Sequence, residues 1–188
     1  MKHFTLIILC IILFSSIGAA QSIGVFGGIT GSSFEDQAEA ATGIEAGASF
    51  VFDALPIVEA GVEFSTFVSP FESSTEALGI KTTMTTNQTM YGVFGKFTFG
   101  LPALTPYARV GVGYYTGSVE VKTEPGVTTT TDFKNTLGFN VGAGVDTFIG
   151  LYGEFLYHIV SRELDADNAA SVGANYWGLR VGYTFSLL

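Results

Sequence analysis

The chain of 188 residues has a formal net charge of −9 and one cysteine, and only 13% of its residues are charged. This length fits one domain, and the acidic balance argues against nucleic-acid binding and against attachment to an anionic membrane surface. Hydrophobic residues make up 47% of the chain, yet beyond residue 20 no stretch approaches the roughly 18 continuous apolar residues that a membrane-spanning helix needs.

The first 20 residues predict a secretory signal peptide, which is removed from the mature protein. A basic start at Lys2 precedes the apolar run 4–14, and Gly18 and Ala20 have the spacing that a signal peptidase accepts. The alternative is a membrane anchor, but the apolar run is too short to span a bilayer comfortably as a helix. Cys10 lies inside that run. We therefore expect no disulfide in the mature chain.

The mature chain alternates between large apolar and small residues with a period of two, which predicts β-strands rather than helices. Eight segments show this pattern: 21–31, 43–53, 57–68, 89–100, 107–117, 136–148, 151–160 and 174–188. Their connections alternate strictly between long and short. Each segment holds roughly the 9–11 residues that a tilted membrane-crossing strand needs.

The four long connections are 32–42, 69–88, 118–135 and 161–173. They carry most of the acidic residues, and binding sites usually lie on such loops. Two interpretations stay open for the threonine-rich runs 82–86 and 128–131. The simpler one is a solvated loop. The other is a hairpin rim that continues the middle strands above the membrane and recruits partner strands along an exposed edge.

The two faces of each segment differ, and the last segment shows it most clearly. Trp177, Leu179 and Val181 lie on one face, whereas Gly178 and Arg180 lie on the other. A soluble barrel would expose the glycine face, but a soluble surface is roughly a quarter to a third charged. A narrow membrane barrel instead encloses that face and shows lipid an apolar band with aromatic residues near the strand ends.

This arrangement predicts an all-β fold, an eight-stranded antiparallel up-and-down transmembrane β-barrel with a polar lumen that side chains fill. Unpaired backbone groups in lipid cost several kcal/mol each, so the first and last strands should pair. We expect residues 1–20 to be the signal peptide and residues 21–188 to form one outer-membrane β-barrel domain.

The chain resembles the small eight-stranded outer-membrane barrels, the group of the OmpA transmembrane domain and OmpX-like proteins. The signal peptide, the eight alternating segments and the end GLRVGYTF at 178–185 carry the resemblance. It implies a porin-family protein in the outer membrane of a Gram-negative bacterium, surrounded by outer-membrane lipid. It also implies delivery to the barrel-assembly machinery through a C-terminal signal that contains Tyr183 and Phe185. The chain departs from the family by ending in Ser-Leu-Leu rather than in an aromatic residue.

The predicted inner face carries eight ionisable residues: Glu45, Glu59, Glu63, Lys96, Arg109, Asp146, Glu154 and Arg180. All except Glu45 and Arg180 are expected in the half of the lumen next to the short turns. The functional interpretation is a polar pore or gate. The structural one is a network of ion pairs that plugs the lumen, which a narrow barrel favours because buried charges persist only when they are paired.

Other chemistry is sparse. His158 and Ser161 are three residues apart, so a strand would place them on opposite faces, and we expect no catalytic residues. We expect no cofactor and no metal site either; Glu163, Asp165 and Asp167 lack the glycine turn and the closing Glu of a good Ca²⁺ loop. The sequence predicts a monomeric structural barrel that presents surface loops to an extracellular ligand or host surface. A narrow pore and a lipid-modifying barrel enzyme are the alternatives.

Overall fold

The computed structural model describes residues 21–32, 41–67, 73–77, 80–101, 103–123, 126–162, 172–173 and 175–187. The predicted signal peptide 1–20 and the acidic residues Glu163, Asp165 and Asp167 lie outside the described residues. Within the described ranges, no helix is long and apolar enough to cross a membrane.

The regular structure of the described residues consists of strands. They are β1 (Gln21–Ser32), β2 (Ala41–Leu55), β3 (Val58–Phe67), β4 (Ser73–Ala77), β5 (Ile80–Thr98), β6 (Leu104–Thr123), β7 (Val127–Asp132), β8 (Thr136–Thr147), β9 (Leu151–Ile159), β10 (Ser161–Arg162), β11 (Val172–Gly173) and β12 (Tyr176–Ser186).

Eight of these strands form a closed ring. Its order is β1, β2, β3, β5, β6, β8, β9 and β12, with antiparallel pairing between neighbours. The ring closes where β12 pairs with β1, from Ser22↔Ser186 to Ser32↔Tyr176. Closure gives every ring strand two neighbours, which is what the bilayer demands of a spanning sheet. The predicted eight-stranded antiparallel barrel is confirmed.

The barrel turns its large apolar side chains outward. Val181 is 64% exposed on the outer surface, whereas the adjacent Arg180 is fully buried inside. Tyr183 and Phe185, which follow with the same alternation, are also exposed. The opposite arrangement would describe a soluble carrier with an apolar cavity. The observed one is that of a barrel whose outer surface suits hydrocarbon.

Two tight hairpins place a glycine where the backbone needs a positive φ. Gly150 has φ +86° and closes the β8–β9 turn by donating its N–H to the Thr147 carbonyl at 3.0 Å. Gly126 has φ +101° and does the same to Thr123 between β6 and β7 at 2.9 Å. A residue with a Cβ pays a steric cost in this conformation.

Two of the predicted long connections were wrong in part, because strands continue into them. β5 begins at Ile80 and β6 ends at Thr123, so segments 80–88 and 118–123 are strands rather than loops. The two strands pair without interruption from Thr98↔Tyr107 to Thr82↔Thr123. The alternative interpretation of the threonine-rich runs, a rim of continued strands, is the one that the pairing supports. Threonine and valine favour the pleated conformation.

The rim is a four-stranded sheet. Above the ring, β4 pairs with the upper part of β5 and β7 pairs with the upper part of β6. We call these four paired segments the extended sheet. The ring itself ends lower, where β3 leaves β5 at Thr89 and β8 leaves β6 at Tyr115.

Candidate functional site in the lumen and on the extended sheet

Arg180 on β12 is the centre of the ionic part of the lumen. Its Nε donates to Glu45 Oε2 at 2.9 Å, its Nη2 bonds the other oxygen of Glu45, and its Nη1 donates to Glu63 Oε1 at 3.0 Å. The same Nη1 lies 3.5 Å from Glu154 Oε1. A guanidinium presents its donors in a planar fork, which suits several carboxylates at once.

Arg109 on β6 shares two of these carboxylates. Its Nη2 donates to Glu63 Oε2 at 2.8 Å and its Nη1 donates to Glu154 Oε1 at 3.0 Å. Tyr107 adds a hydroxyl hydrogen bond to Glu154 Oε2 at 3.2 Å. Two guanidinium groups and three carboxylates thus form one connected cluster, which we call the central ion network: Glu45, Glu63, Arg109, Glu154 and Arg180.

The remaining three predicted lumen residues lie nearer to solvent. Lys96 Nζ lies 3.1 Å from Glu59 Oε2 and 2.8 Å from Asp146 Oδ2, and the two carboxylate side chains are each 25% exposed. We call these three residues the mouth cluster, because they lie at the short-turn end of the barrel. The sequence expectation places six of the eight residues in the half next to the short turns, and four of them, Lys96, Arg109, Asp146 and Glu154, line one small cavity. Within the six, Glu63, Arg109 and Glu154 join the central ion network, whereas the other three form the mouth cluster.

The lumen bases also lie over aromatic rings, and each ring lies over a glycine of the next strand. Arg109 Cζ lies 3.9 Å from the centroid of Phe94, which is the cross-strand neighbour of Gly61. A Cβ on Gly61 would lie 2.5 Å from the Phe94 Cζ atom and 2.7 Å from the carbonyl oxygen of Phe50. The glycine therefore leaves the space that the ring fills, and the ring gives the cation a face to stack on.

The same arrangement recurs twice. Arg180 Cζ lies 4.5 Å from the ring centroid of Phe26, and Phe26 is opposite Gly47. Lys96 Nζ lies 4.0 Å from the ring centroid of Tyr107, and Tyr107 is opposite Gly144. The three sets of base, ring and glycine are Arg109–Phe94–Gly61, Arg180–Phe26–Gly47 and Lys96–Tyr107–Gly144. At these three positions, glycine is explained by the space that the neighbouring aromatic ring occupies.

The long-connection end of the lumen is closed by aromatic residues instead of charges. The His158 ring stacks on the Tyr176 ring, with centroids 4.2 Å apart and planes 7° apart. Tyr115 Oη lies 2.9 Å from His158 Nδ1, and Phe67 meets Tyr176 edge-on at 5.0 Å. Gln88 donates a hydrogen bond to the Tyr176 hydroxyl at 3.2 Å.

We call this group the aromatic plug. Its members share almost complete burial: Phe67, Met90, Tyr115, His158, Val160 and Tyr176. The sequence pattern puts Tyr115, His158 and Tyr176 on the inner face but gives no sign that they meet. Large inner residues also occur away from the long connections, at Phe26, Phe94 and Tyr107, so residue size on the small face does not single out the plug.

The outer surface of the barrel changes character where the extended sheet begins. Tyr91 on β5 and Tyr114 on β6 are cross-strand partners, and both are exposed on the outer face. Tyr91 also packs against Phe64 with ring centroids 5.2 Å apart. Aromatic side chains of this kind mark a membrane interface. Beyond this point the outward positions of β6 become polar, with Ser118 following.

The edges of the extended sheet are β4 and β7, since each pairs with one strand only in the described part of the chain. β7 pairs with β6, and five of its six residues are exposed. The ladder reaches from Ser118↔Asp132 to Thr123↔Val127, and Phe133 donates to the Gly117 carbonyl just beyond it. In an antiparallel pair the bonded residues alternate. The backbone groups of Thr128 and Thr130 therefore point away from β6.

The structure separates the two residues that could have formed a nucleophile and base pair. His158 is fully buried in the plug, whereas Ser161 is exposed. Among the described residues, no group of three or more His, Cys, Asp or Glu residues is arranged to hold a metal ion.

Comparison with known proteins identifies the family. No curated protein sequence matches the chain significantly. The fold is similar to that of Neisserial surface protein A, with a TM-score of 0.66 and 11% identity over 89% of this chain and 97% of that one. It is also similar to Ail, the attachment invasion locus protein of Yersinia pestis, solved in complex with the heparin analogue sucrose octasulfate. There the TM-score is 0.51, with 14% identity over 89% of this chain and 99% of that one.

At such low identities these likenesses show the fold alone. The match to a protein family covers more of the chain than these structures do. Residues 6–185 fit the family described as outer membrane protein beta-barrel domain. This span includes every ring strand except the last residue of β12. The chain therefore belongs to the outer membrane protein beta-barrel family.

Proposed function

We propose that the protein is a structural, closed barrel of the outer membrane that holds a rigid sheet above the membrane as a binding surface. The observation that carries this proposal is the length of the β5–β6 pair. Its register continues from Thr98↔Tyr107 to Thr82↔Thr123. A tilted membrane-crossing strand needs only about 9–11 residues. Segment 80–90 of β5 and segment 115–123 of β6 lie beyond the tyrosines that mark the interface.

The proposed orientation follows from the connections. In barrels of this kind the short turns face the periplasm and the longer connections face outward. The extended sheet lies on the long-connection side and would face the cell exterior. Outer-membrane location is supported by the family match to residues 6–185, and export would proceed through the signal peptide proposed at 1–20.

The lumen supports a closed rather than a conducting barrel. The central ion network fills the middle of the lumen, and the aromatic plug fills the half next to the long connections. The side chains of both groups are at most 5% exposed. A pore for solutes would need these side chains to move aside. Catalysis is not part of the proposal, since His158 faces the lumen rather than the lipid.

The binding mode that the extended sheet favours is strand addition along β7. An exposed edge offers unpaired N–H and C=O groups to an extended peptide, and threonine-rich edges pair readily. A polyanion such as the one bound to Ail is less favoured here, because Glu120 shares the outward face of β6 with Lys122, and Asp132 lies on the same face of β7.

Strand addition can be tested with one matched pair of variants. The probe is a fluorescent synthetic peptide that copies residues 116–123, the segment that β7 already accepts on its other side. Thr130→Pro removes an N–H from the free edge, whereas Thr130→Ala keeps it. We expect the full-length protein and Thr130→Ala to raise the fluorescence anisotropy of the peptide and Thr130→Pro to abolish the effect. Equal binding by both variants would contradict strand addition at β7.

Closure and display are tested separately. In planar bilayers the purified protein should show no steady channels, and steady channels would favour the narrow-pore alternative.

On intact cells, Thr129→Cys should react with a membrane-impermeant thiol reagent. Labelling only after permeabilisation would contradict the proposed display. Unchanged lipid A mass after overexpression is expected for a barrel without lipid-modifying activity.

We also propose that Tyr183 and Phe185 form the assembly signal read by the barrel-assembly machinery. The two rings lie on the outer surface of β12 with centroids 4.7 Å apart, which leaves them available to a receptor before the barrel closes. Replacing both by alanine should lower the amount of assembled protein in the outer membrane, scored by its mobility on unboiled gels. Full assembly of that variant would remove the signal from the proposal.

A further inference from the structure

A polar cavity opens at the short-turn end of the lumen. It has a volume of about 270 Å³ and contains the mouth cluster together with Asp53 and the hydroxyl of Thr184. Three carboxylates and one ammonium group line it, so its charge favours water and small cations over anions. The mouth of the lumen is therefore wet and negatively charged.

A second, smaller cavity leads from this mouth to Arg109. It measures about 20 Å³ and shares Lys96, Asp146 and Thr184 with the first, while Ser49 lies on its wall. Arg109 lines this cavity, and its buried Nε has no hydrogen-bond partner among the described residues. A polar space of roughly 10–15 Å³ holds one water molecule, and a buried N–H without an acceptor is costly. A water molecule at this position would satisfy the donor.

The other side of the network is different. Ser65 and Thr30 are fully buried, and their hydroxyl groups have no hydrogen-bond partner among the described residues. Ser65 is the cross-strand neighbour of Met90, a member of the aromatic plug, and it lies two residues before Phe67. Among the described residues, the aromatic side chains above this level pack together and are almost fully buried, which disfavours water there.

We propose that the lumen is a half-channel. Water and small cations enter from the short-turn end as far as Arg109, and the aromatic plug seals the lumen against the opposite side. The half-channel does not depend on the extended sheet or on a partner that the sheet binds. His158 and Tyr176 form its seal, and the ion pairs do not.

Two isosteric substitutions test the two compartments. Ser49→Cys places a thiol beside the small cavity, and Ser65→Cys places one behind the seal. The one native cysteine, Cys10, lies in the signal peptide proposed at 1–20, so each thiol is unique in protein that lacks this peptide. In lipid nanodiscs, where both mouths are accessible, a small cationic methanethiosulfonate reagent should modify Ser49→Cys at least about 100-fold faster than Ser65→Cys, because thiol reactivity follows access.

The seal is tested by adding Tyr176→Ala to each cysteine variant. We expect the modification rate at Ser65→Cys to rise by about 10-fold or more, because the opening energy of the plug falls, and the rate at Ser49→Cys to stay unchanged. An unchanged modification rate at Ser49→Cys, together with unchanged mobility on unboiled gels, would show that the Tyr176→Ala barrel is folded. His158→Ala provides a second opening if Tyr176→Ala does not assemble, and Glu59→Gln is the control that leaves the plug intact.

Three outcomes would overturn the half-channel. An unreactive Ser49→Cys would show that the mouth is dry. Equal rates at the two cysteines in the otherwise unmodified protein would show that nothing separates the compartments. A Ser65→Cys rate that neither plug variant changes would show that the plug is not the barrier. Loss of peptide binding at β7 would contradict the proposed function without touching these rates.

Discussion

The central ion network and the aromatic plug fill neighbouring parts of one lumen and are almost equally buried, but they hold together for different reasons. In the network, Glu63 and Glu154 each serve both guanidinium groups, so every charge depends on its partners. In the plug, the stacked and edge-on rings around Tyr176 depend on shape. Removing one member of the network leaves an uncompensated charge, whereas removing one member of the plug leaves a void.

The comparison shows how a barrel too narrow for a separate core can be filled. Near the short turns, the side chains of Glu59 and Asp146 are each 25% exposed, so their charges can be hydrated. Near the long connections, buried aromatic side chains with a polar tip fill the lumen. Substitutions in each half test this difference between them.

The largest effect is expected from Arg180→Ala. The change leaves Glu45 buried without its base and leaves Glu63 and Glu154 to Arg109 alone. Removing one partner of a buried ion pair costs about 3–5 kcal/mol, and we expect that loss in the free energy of unfolding measured by urea titration. Arg180→Lys keeps the charge but not the planar fork, so it should lose less.

Arg109→Ala belongs to the same class and should lower the unfolding midpoint more than any substitution on the extended sheet, such as Thr128→Ala. An unchanged unfolding midpoint for Arg109→Ala or Arg180→Ala would mean that the central ion network does not stabilise the barrel. The proposed difference between the network and the aromatic plug would then be wrong.

A smaller effect is expected in the plug from Met90→Ala. Met90 is fully buried between Tyr115 and the inner face at Gly113. Met→Ala in a core costs about 2–3 kcal/mol when flexible neighbours fill part of the void. Met90→Leu conserves the volume and should cost much less. If Met90→Leu were as damaging as Met90→Ala, volume would not be what the plug depends on.

The sequence pattern predicted the ring and its orientation, because alternation with a period of two is a local property of each strand. Its set of eight inner charged residues left out Asp53, which lines the cavity at the short-turn end. It could not show which inner residues meet, since that depends on the strand tilt and the register between strands. Arg180 and Glu45 pair across 135 residues. The extended sheet was also missed as the preferred interpretation, because polar threonine runs look alike in a loop and in a solvated strand.

A still smaller effect should follow from Gly61→Ala. The added Cβ would meet the Phe94 ring and the Phe50 carbonyl oxygen, and overpacking of this kind costs about 1–2 kcal/mol. Gly95→Ala is the matched control, because Gly95 lies on the outer face and an added Cβ there meets nothing closer than 3.9 Å. We expect it to leave the free energy of unfolding unchanged. Equal effects would mean that space under the rings is not why glycine occupies these positions.

The smallest effect is expected from Lys96→Met at the mouth. Its partners Glu59 and Asp146 are each 25% exposed, so water can hydrate both carboxylates when the ammonium group is removed. Exposed ion pairs contribute about 0–1 kcal/mol, and salt screens them. The loss measured by urea titration should therefore stay near this range and shrink further at high ionic strength, unlike the loss caused by Arg180→Ala. A salt-independent loss as large as that of Arg180→Ala would mean that the mouth is as dry as the centre. The proposal of a wet mouth at the short-turn end would then fail.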